Sequence, residues 1–246
     1  MPGKITVALV RQLVAVNAND VCIAIDVLRA TTTLAVAFGR GCPGVWLASD
    51  VDQARSFGHE TGRLICGEQG GLPPHGFDFG NSPLEFGRLD LTGRELVFAT
   101  TNGTGTIRAC ADGARVFAGA FVNATAAVQT ALRALNELGD SGGRLLIAAA
   151  GTHGRFGIED AACAGFMVRT ALRTHPEAQM DDSAVAAMRL FDSFTGPLDA
   201  VLTSEHARTL ASLGMADDAT FCGQLDVTGV VPELGLGGPW PMYLVE

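Results

Sequence analysis

Short apolar runs, each closed by glycine, proline or a capping polar residue, recur along the chain and alternate with longer amphipathic stretches. The runs at 4–10, 21–25, 45–48, 64–66, 95–99, 115–118 and 144–149 predict strands. Helices are predicted over 32–38, ending at Gly39, and over 51–59, capped by Ser49 or Asp50 and stopped at Gly62. A Thr-rich turn at 100–105 opens a helix through Cys110, and Asn123 caps a helix over 124–138. A further helix, 158–173, starts with Glu159-Asp160, favourable charges for a first turn. Beyond it the pattern predicts helices over 181–191, capped by Asp181 or Asp182, and over 204–213, ending at Gly214. The remainder, 230–246, is rich in Pro and Gly with short strands.

Strands alternating with helices predict an α/β fold with mainly parallel strands flanked by helices. The order of pieces also reads as two copies of one plan. In each copy a strand runs into a Thr-rich turn and helix, and a later strand opens into a glycine-rich loop. Asp26–Thr33 would pair with Thr100–Gly105, and 67–70 with 151–154. The expected organisation is a first α/β unit over 1–90 carrying a long functional loop, 67–83, and a second over 91–180. Helices and short strands of 181–246 pack on both, and a ligand cleft lies between the units.

Composition narrows the function. With 246 residues and 48% hydrophobic residues the chain can bury a sizeable core. A net charge of -9 argues against a nucleic-acid partner, which would select a basic face. No apolar run reaches the roughly 18 residues of a membrane span, and Met1-Pro2-Gly3-Lys4 leads into a strand without a signal segment, so the cytoplasm is expected. Six scattered cysteines without a CxxC pair read as small buried hydrophobes of a reducing compartment, not disulfides or zinc ligands. The Gly-rich, apolar segment 230–245 is compatible with a homodimer and no more.

Candidate chemistry gathers at the carboxyl ends of strands, where ligands bind in open α/β sheets. Asp26-Val27-Leu28-Arg29-Ala30-Thr31-Thr32-Thr33 places a carboxylate, a guanidinium and hydroxyls where a helix begins, a setting suited to an oxyanion. The plainer alternative is a turn with Thr as N-cap and a local Asp26–Arg29 ion pair. Arg29 and Arg155 are natural anion clamps. Thr31, Thr32, Asn81, Ser82, Thr101, Asn102 and Thr104 offer hydroxyl and amide donors. Asp26, Glu68, Asp78, Glu159 and Asp160 are candidate oxygen ligands for Mg²⁺. Of these, Asp26, Glu68 and Asp78 are also candidate catalytic carboxylates. His75 and His153 lie in loops and can carry protons, though loop histidines are more often solvated bystanders. No GxSxG elbow and no P-loop is present. Leu28 stands where an aspartyl-phosphate enzyme of the haloacid dehalogenase type needs a second acid.

In combination these segments resemble the 2-phosphosulfolactate phosphatases of coenzyme M biosynthesis. The matching pieces are Asp26–Thr33, Gly67-Glu68, Gly76-Phe77-Asp78-Phe79-Gly80-Asn81-Ser82-Pro83, Thr100-Thr101-Asn102-Gly103-Thr104, Asn123, and Gly154–Asp160 with Cys163-Ala164-Gly165. They span about residues 5–235. The family often has Ser-Leu where this chain has Gly157-Ile158. The resemblance implies a Mg²⁺-dependent phosphoric monoester hydrolase that converts 2-phospho-3-sulfolactate to 3-sulfolactate and phosphate. The carboxylates would hold Mg²⁺ or Mn²⁺, with one left to take the proton of an attacking water. Two other readings stay open at this point: a phosphatase acting on another small anionic ester, and a non-catalytic binder of an anionic metabolite.

Overall fold

A computed structural model describes residues 3–139, 142–235 and 241–244. In chain order it forms β1 (Lys4–Ala8), β2 (Val21–Ile25), α1 (Ala30–Gly39), β3 (Val45–Leu47), α2 (Val51–Thr61), β4 (Leu64–Gly67) and α3 (Pro83–Phe86). Then follow β5 (Leu96–Ala99), α4 (Gly103–Ala109), β6 (Arg115–Gly119), α5 (Ala124–Glu137), β7 (Leu145–Ala149) and α6 (Ile158–Thr174). The rest is β8 (Gln179–Met180), α7 (Asp182–Asp192), α8 (Pro197–Thr203), α9 (Glu205–Ser212), α10 (Ala216–Cys222), β9 (Pro232–Leu234) and β10 (Pro241–Leu244).

The parity of side chains along the strands builds the core. Every residue of β2 and β7 is buried, as expected of central parallel strands covered on both faces. Odd positions carry the bulk: Ile5, Val7, Val21, Ile23, Ile25, Leu145 and Ile147 pack with α5 and α6. Even positions are mostly smaller: Ala8, Cys22, Ala24 and Ala148, with Leu146, pack with α1 and α4. Helix α1, ATTTLAVAFG, is apolar on nearly all sides, and eight of its ten residues are buried. All six cysteines are unpaired and buried.

The fold is α/β with mostly parallel strands flanked by helices. All ten strands join one sheet in the order β4-β5-β3-β10-β9-β6-β2-β7-β1-β8. Residues 1–90 and 91–180 therefore do not build separate sheets: β2 lies between β6 and β7, and β5 between β4 and β3. What makes two blocks is strand direction. β4, β5 and β3 are parallel, as are β6, β2, β7, β1 and β8, and the antiparallel strands β9 and β10 are inserted between the blocks. The three antiparallel steps from β3 to β6 set the blocks in opposite directions. Sheet twist of about 20–25° per strand accumulates over the five steps from β5 to β2. Residues just beyond the carboxyl ends of strands from both blocks line one cavity. The C-terminal segment thus contributes strands inside the sheet, while residues 236–240, 245 and 246 lie outside the described residues.

Local signals hold where side chain and backbone settle the matter between them. The Asp50 carboxylate accepts from the Gln53 N–H, Gly62 is left-handed with φ 69°, and Asp181 and Ser204 cap α7 and α9. Asn123 differs from expectation. It sits at the start of α5 but makes no side-chain cap. Its Oδ1 accepts from the Ala120 N–H, and its Nδ2 donates to the carbonyls of Ala118 and Val230, tying the β6–α5 turn to the C-terminal segment. Among the described residues no helix is long and apolar enough to cross a membrane.

Candidate active site

The carboxyl ends of β2, β4, β5 and β7 open onto one cavity of about 470 Å³, whose remaining wall is α9. Asp26, the first residue after β2, is buried there. Burial pushes its pKa up to about 7, Glu68 and Glu159 push in the same direction, and His206 and the Ala30 N–H oppose them. A carboxylate surrounded by carboxylates in a poorly solvated place holds a proton near neutrality.

Glu68 is positioned by backbone. Gly67 has φ +140°, and a Cβ there would collide with the Ala99 carbonyl, so glycine lets β4 turn tightly against β5. The Glu68 N–H then donates to that carbonyl. Its carboxylate accepts from the N–H groups of Thr101 (2.7 Å) and Gly71 (2.8 Å). Gly103 plays a similar part beside Asp26: a Cβ there would lie 2.7 Å from Asp26 Oδ2.

Glu159, in the first turn of α6, is 2% exposed and faces His206, with Oε1 3.6 Å from Nδ1. Thr152 Oγ1 is 3.3 Å from the same nitrogen. Burial works against charge on the His206 ring, but Glu159, Asp26 and Glu68 together outweigh it and raise its pKa.

Of the residues singled out in the sequence, Asp26, Arg29, Glu68, Asn81, Thr101, Asn102, Arg155 and Glu159 line this cavity. Asn81 is 4% exposed, and its buried Oδ1 finds no hydrogen-bond partner among the described residues. His153 also lines the wall, while His75 does not.

Others are spent elsewhere. Asp78 does not line the cavity: it turns back to accept from the Ile65 N–H at 2.7 Å and fastens the long loop to β4. Thr31 and Thr32 donate to the carbonyls of Asp26 and Val27, stitching the start of α1. Thr104 likewise bonds the Thr100 carbonyl. Ser82 caps α3 and donates to Asp218 at 2.6 Å. Asp160, fully buried, accepts from the Val27 N–H with one oxygen and the Gly151 N–H with the other. It is a brace between two strand-end turns. Burial, Glu159 and Asp26 push its pKa well up against those two donors.

Arg29 is both cavity lining and half of a buried ion pair. Its Nη1 donates to Asp218 Oδ2 at 2.7 Å and to Met215 Sδ, and its Nη2 donates to the Gly71 carbonyl. Gly71 thus links Arg29, through its carbonyl, to Glu68, through its N–H.

His206 and Arg208, on α9, belong to the cavity and escaped the sequence reading, as did Thr203, Glu205 and Thr209. The only local hint was a histidine just inside a Ser-capped helix, and such a residue is ordinary on a solvated face.

Among the described residues no three His, Cys, Asp or Glu side chains stand together as a ready metal cage. Magnesium commonly needs only one or two carboxylates, with water and substrate phosphate completing its shell. Glu68 and Glu159 meet that smaller demand, both lining the cavity beside Asp26. Asp160 and Asp78, which do not line the cavity, do not.

Comparison with known proteins gives one answer. The model of a family described as 2-phosphosulpholactate phosphatase matches residues 8–236. A protein of Thermotoga petrophila is 37% identical over 213 residues, covering 86% of this chain and 88% of its own length. One of Deinococcus radiodurans is 36% identical over 225 residues, 90% of each. One of Clostridium novyi is 30% identical over 217 residues, 87% of this chain and 89% of its own. Each is named a probable 2-phosphosulfolactate phosphatase.

Proposed function

The chain belongs to the 2-phosphosulpholactate phosphatase family, and on that premise we propose that it is a Mg²⁺-dependent phosphoric monoester hydrolase converting 2-phospho-3-sulfolactate to 3-sulfolactate and phosphate. The observation that carries this reading is the meeting of Asp26, Glu68, Glu159 and His206 on one cavity. Glu68 and Glu159 would hold the metal, which when bound supplies positive charge to the phosphoryl oxygens.

Asp26 takes the proton of the attacking water. A carboxylate with a pKa of about 7 is a better base at neutral pH than an ordinary one. Water oxygen bonds to phosphorus as the bond to the C2 oxygen breaks. His206, protonated and oriented by Glu159 and Thr152 at Nδ1, gives that leaving oxygen a proton. Arg29, fixed by Asp218, keeps Gly71 and hence Glu68 in place. The setting for this reaction is expected to be cytoplasmic, with a small anionic ester as partner and a homodimer as the assembly.

The test is phosphate release from 2-phospho-3-sulfolactate and a panel of other phosphorylated hydroxy acids, with Mg²⁺ and with chelator. Release from the sulfonated ester, lost on chelation and in Asp26→Asn but with Mn²⁺ binding retained in that variant, is the expected result. Preference for another ester would reassign the substrate, and anion binding without release on any ester would make the protein a binder. Release in chelator would remove the metal. Near-normal turnover in Asp26→Asn would remove Asp26 as base.

A further inference from the structure

The substrate proposed above carries three anionic groups on adjacent carbons: carboxylate, phosphate ester and sulfonate. The cavity's lining offers them two electrostatically different sets of groups, carboxylates and exposed guanidiniums. Asp26, Glu68 and Glu159 are carboxyl groups that anions approach only through a cation, so they suit the phosphoryl group alone. Arg29 adds little net charge to offset them. Asp218 neutralises it at 2.7 Å, and three of its N–H groups are already engaged.

Arg155 and Arg208 differ. Both line the cavity and both are exposed. Arg155 bonds its loop partner, Thr152, only through backbone atoms. Arg208 gives one N–H to the Thr203 carbonyl, a neutral acceptor, and among the described residues it forms no ion pair. The two come from different elements, the 151–157 loop and α9, and the Thr152–His206 contact at 3.3 Å pins those elements together. Sulfonate and carboxylate stay ionised throughout the neutral range, and the planar guanidinium fork matches their oxygens two at a time.

We propose that Arg155 and Arg208 are the specificity-determining pair, gripping the sulfonate and the carboxylate between them while the phosphoryl group faces the buried carboxylates. The inference rests on the function proposed above. Because these groups do not react, the pair binds ground and transition states alike, so its loss appears in KM and leaves kcat nearly unchanged.

The experiment measures kcat and KM of Arg155→Ala and Arg208→Ala on 2-phospho-3-sulfolactate, on 2-phospholactate, which lacks the sulfonate, and on the analogue lacking the carboxylate. In parallel, calorimetry gives the Kd of the product 3-sulfolactate, which needs no turnover. Each variant is expected to raise KM and Kd about 10- to 100-fold on the full molecule, the size of a lost charge-assisted contact. Each should lose that penalty on the one analogue that lacks its group. Arg208→Lys should recover part of the affinity, since charge remains and the fork does not. Unchanged 3-sulfolactate binding in both variants, or penalties equal on every compound, would overturn the proposal. If the wild-type protein releases no phosphate yet binds 3-sulfolactate through these arginines, the catalytic reading falls and this one stands. Turnover indifferent to both substitutions gives the converse.

Discussion

Replacing Asp218 by Ala should destabilise the protein severely, although the residue neither reacts nor sits in a strand. Arg29 and Asp218 meet at 2.7 Å with side chains only 2% and 4% exposed. Removing the acid leaves a guanidinium in the interior without its counter-charge, a change that costs about 3–5 kcal/mol. Ser82 also loses the acceptor it reaches at 2.6 Å, though its bond to the Glu85 N–H keeps it as the cap of α3. For a chain of this length each kcal/mol shifts the melting temperature by about 2–4 °C. A fall of roughly 6–20 °C follows from those two ranges. Against a total stability of about 5–15 kcal/mol this is a large part. Thermal melts and urea titrations of the metal-free protein read it directly. The double substitution Arg29→Met with Asp218→Leu removes both charges and leaves apolar side chains in their place, and it should recover most of the loss, because the cost lies in the unpaired charge rather than in a missing attraction. A melting temperature within about 2 °C of wild type for Asp218→Ala, or a double variant as unstable as the sum of the singles, would refute the reasoning.

Three further outcomes follow from the same cavity. Asp26 has its pKa raised by burial from 3.8 to about 7, so the native state holds a proton there that the unfolded chain releases. Its contribution to stability is therefore present below pH 3.8 and is lost as pH rises to about 7, at up to about 1.4 kcal/mol per pH unit. Asp26→Asn should flatten that slope in metal-free urea titrations between pH 4 and 7, and an unaltered slope would contradict the burial argument. Asp160→Asn swaps one acceptor for a donor facing either the Val27 or the Gly151 N–H, which should cost about 1–3 kcal/mol in chemical denaturation; a neutral result would show that the brace is dispensable. His206→Gln should lower kcat about 10²- to 10⁴-fold with little change in KM, as loss of a proton donor does, and a kcat within threefold of wild type would exclude that role.

The local code of this chain was legible from its sequence. Apolar runs marked the main strands, and Asp50, Asp181 and Gly62 marked helix ends, because a cap is a bargain between one side chain and the backbone two or three residues away. Of the polar segments at strand ends, Asp26, Glu68, Asn81, Thr101, Asn102, Arg155 and Glu159 share a cavity. Nothing local told Glu159 from Asp160, adjacent acids at one helix start. One faces His206 while the other has both oxygens taken by backbone N–H groups, and that division depends on turns far apart in the chain. Asp78 was drawn away by a nearby N–H for the same reason, since a buried donor claims whichever acceptor the fold brings to it. The apparent repeat suggested two sheets, yet pairing is decided by long-range register, and β2 settled between β6 and β7. His206 and Arg208 were invisible because α9 lies some fifty residues beyond the loop it faces. Sequence periodicity fixes which side of a helix is buried, but only the assembled fold decides what the opposite side confronts.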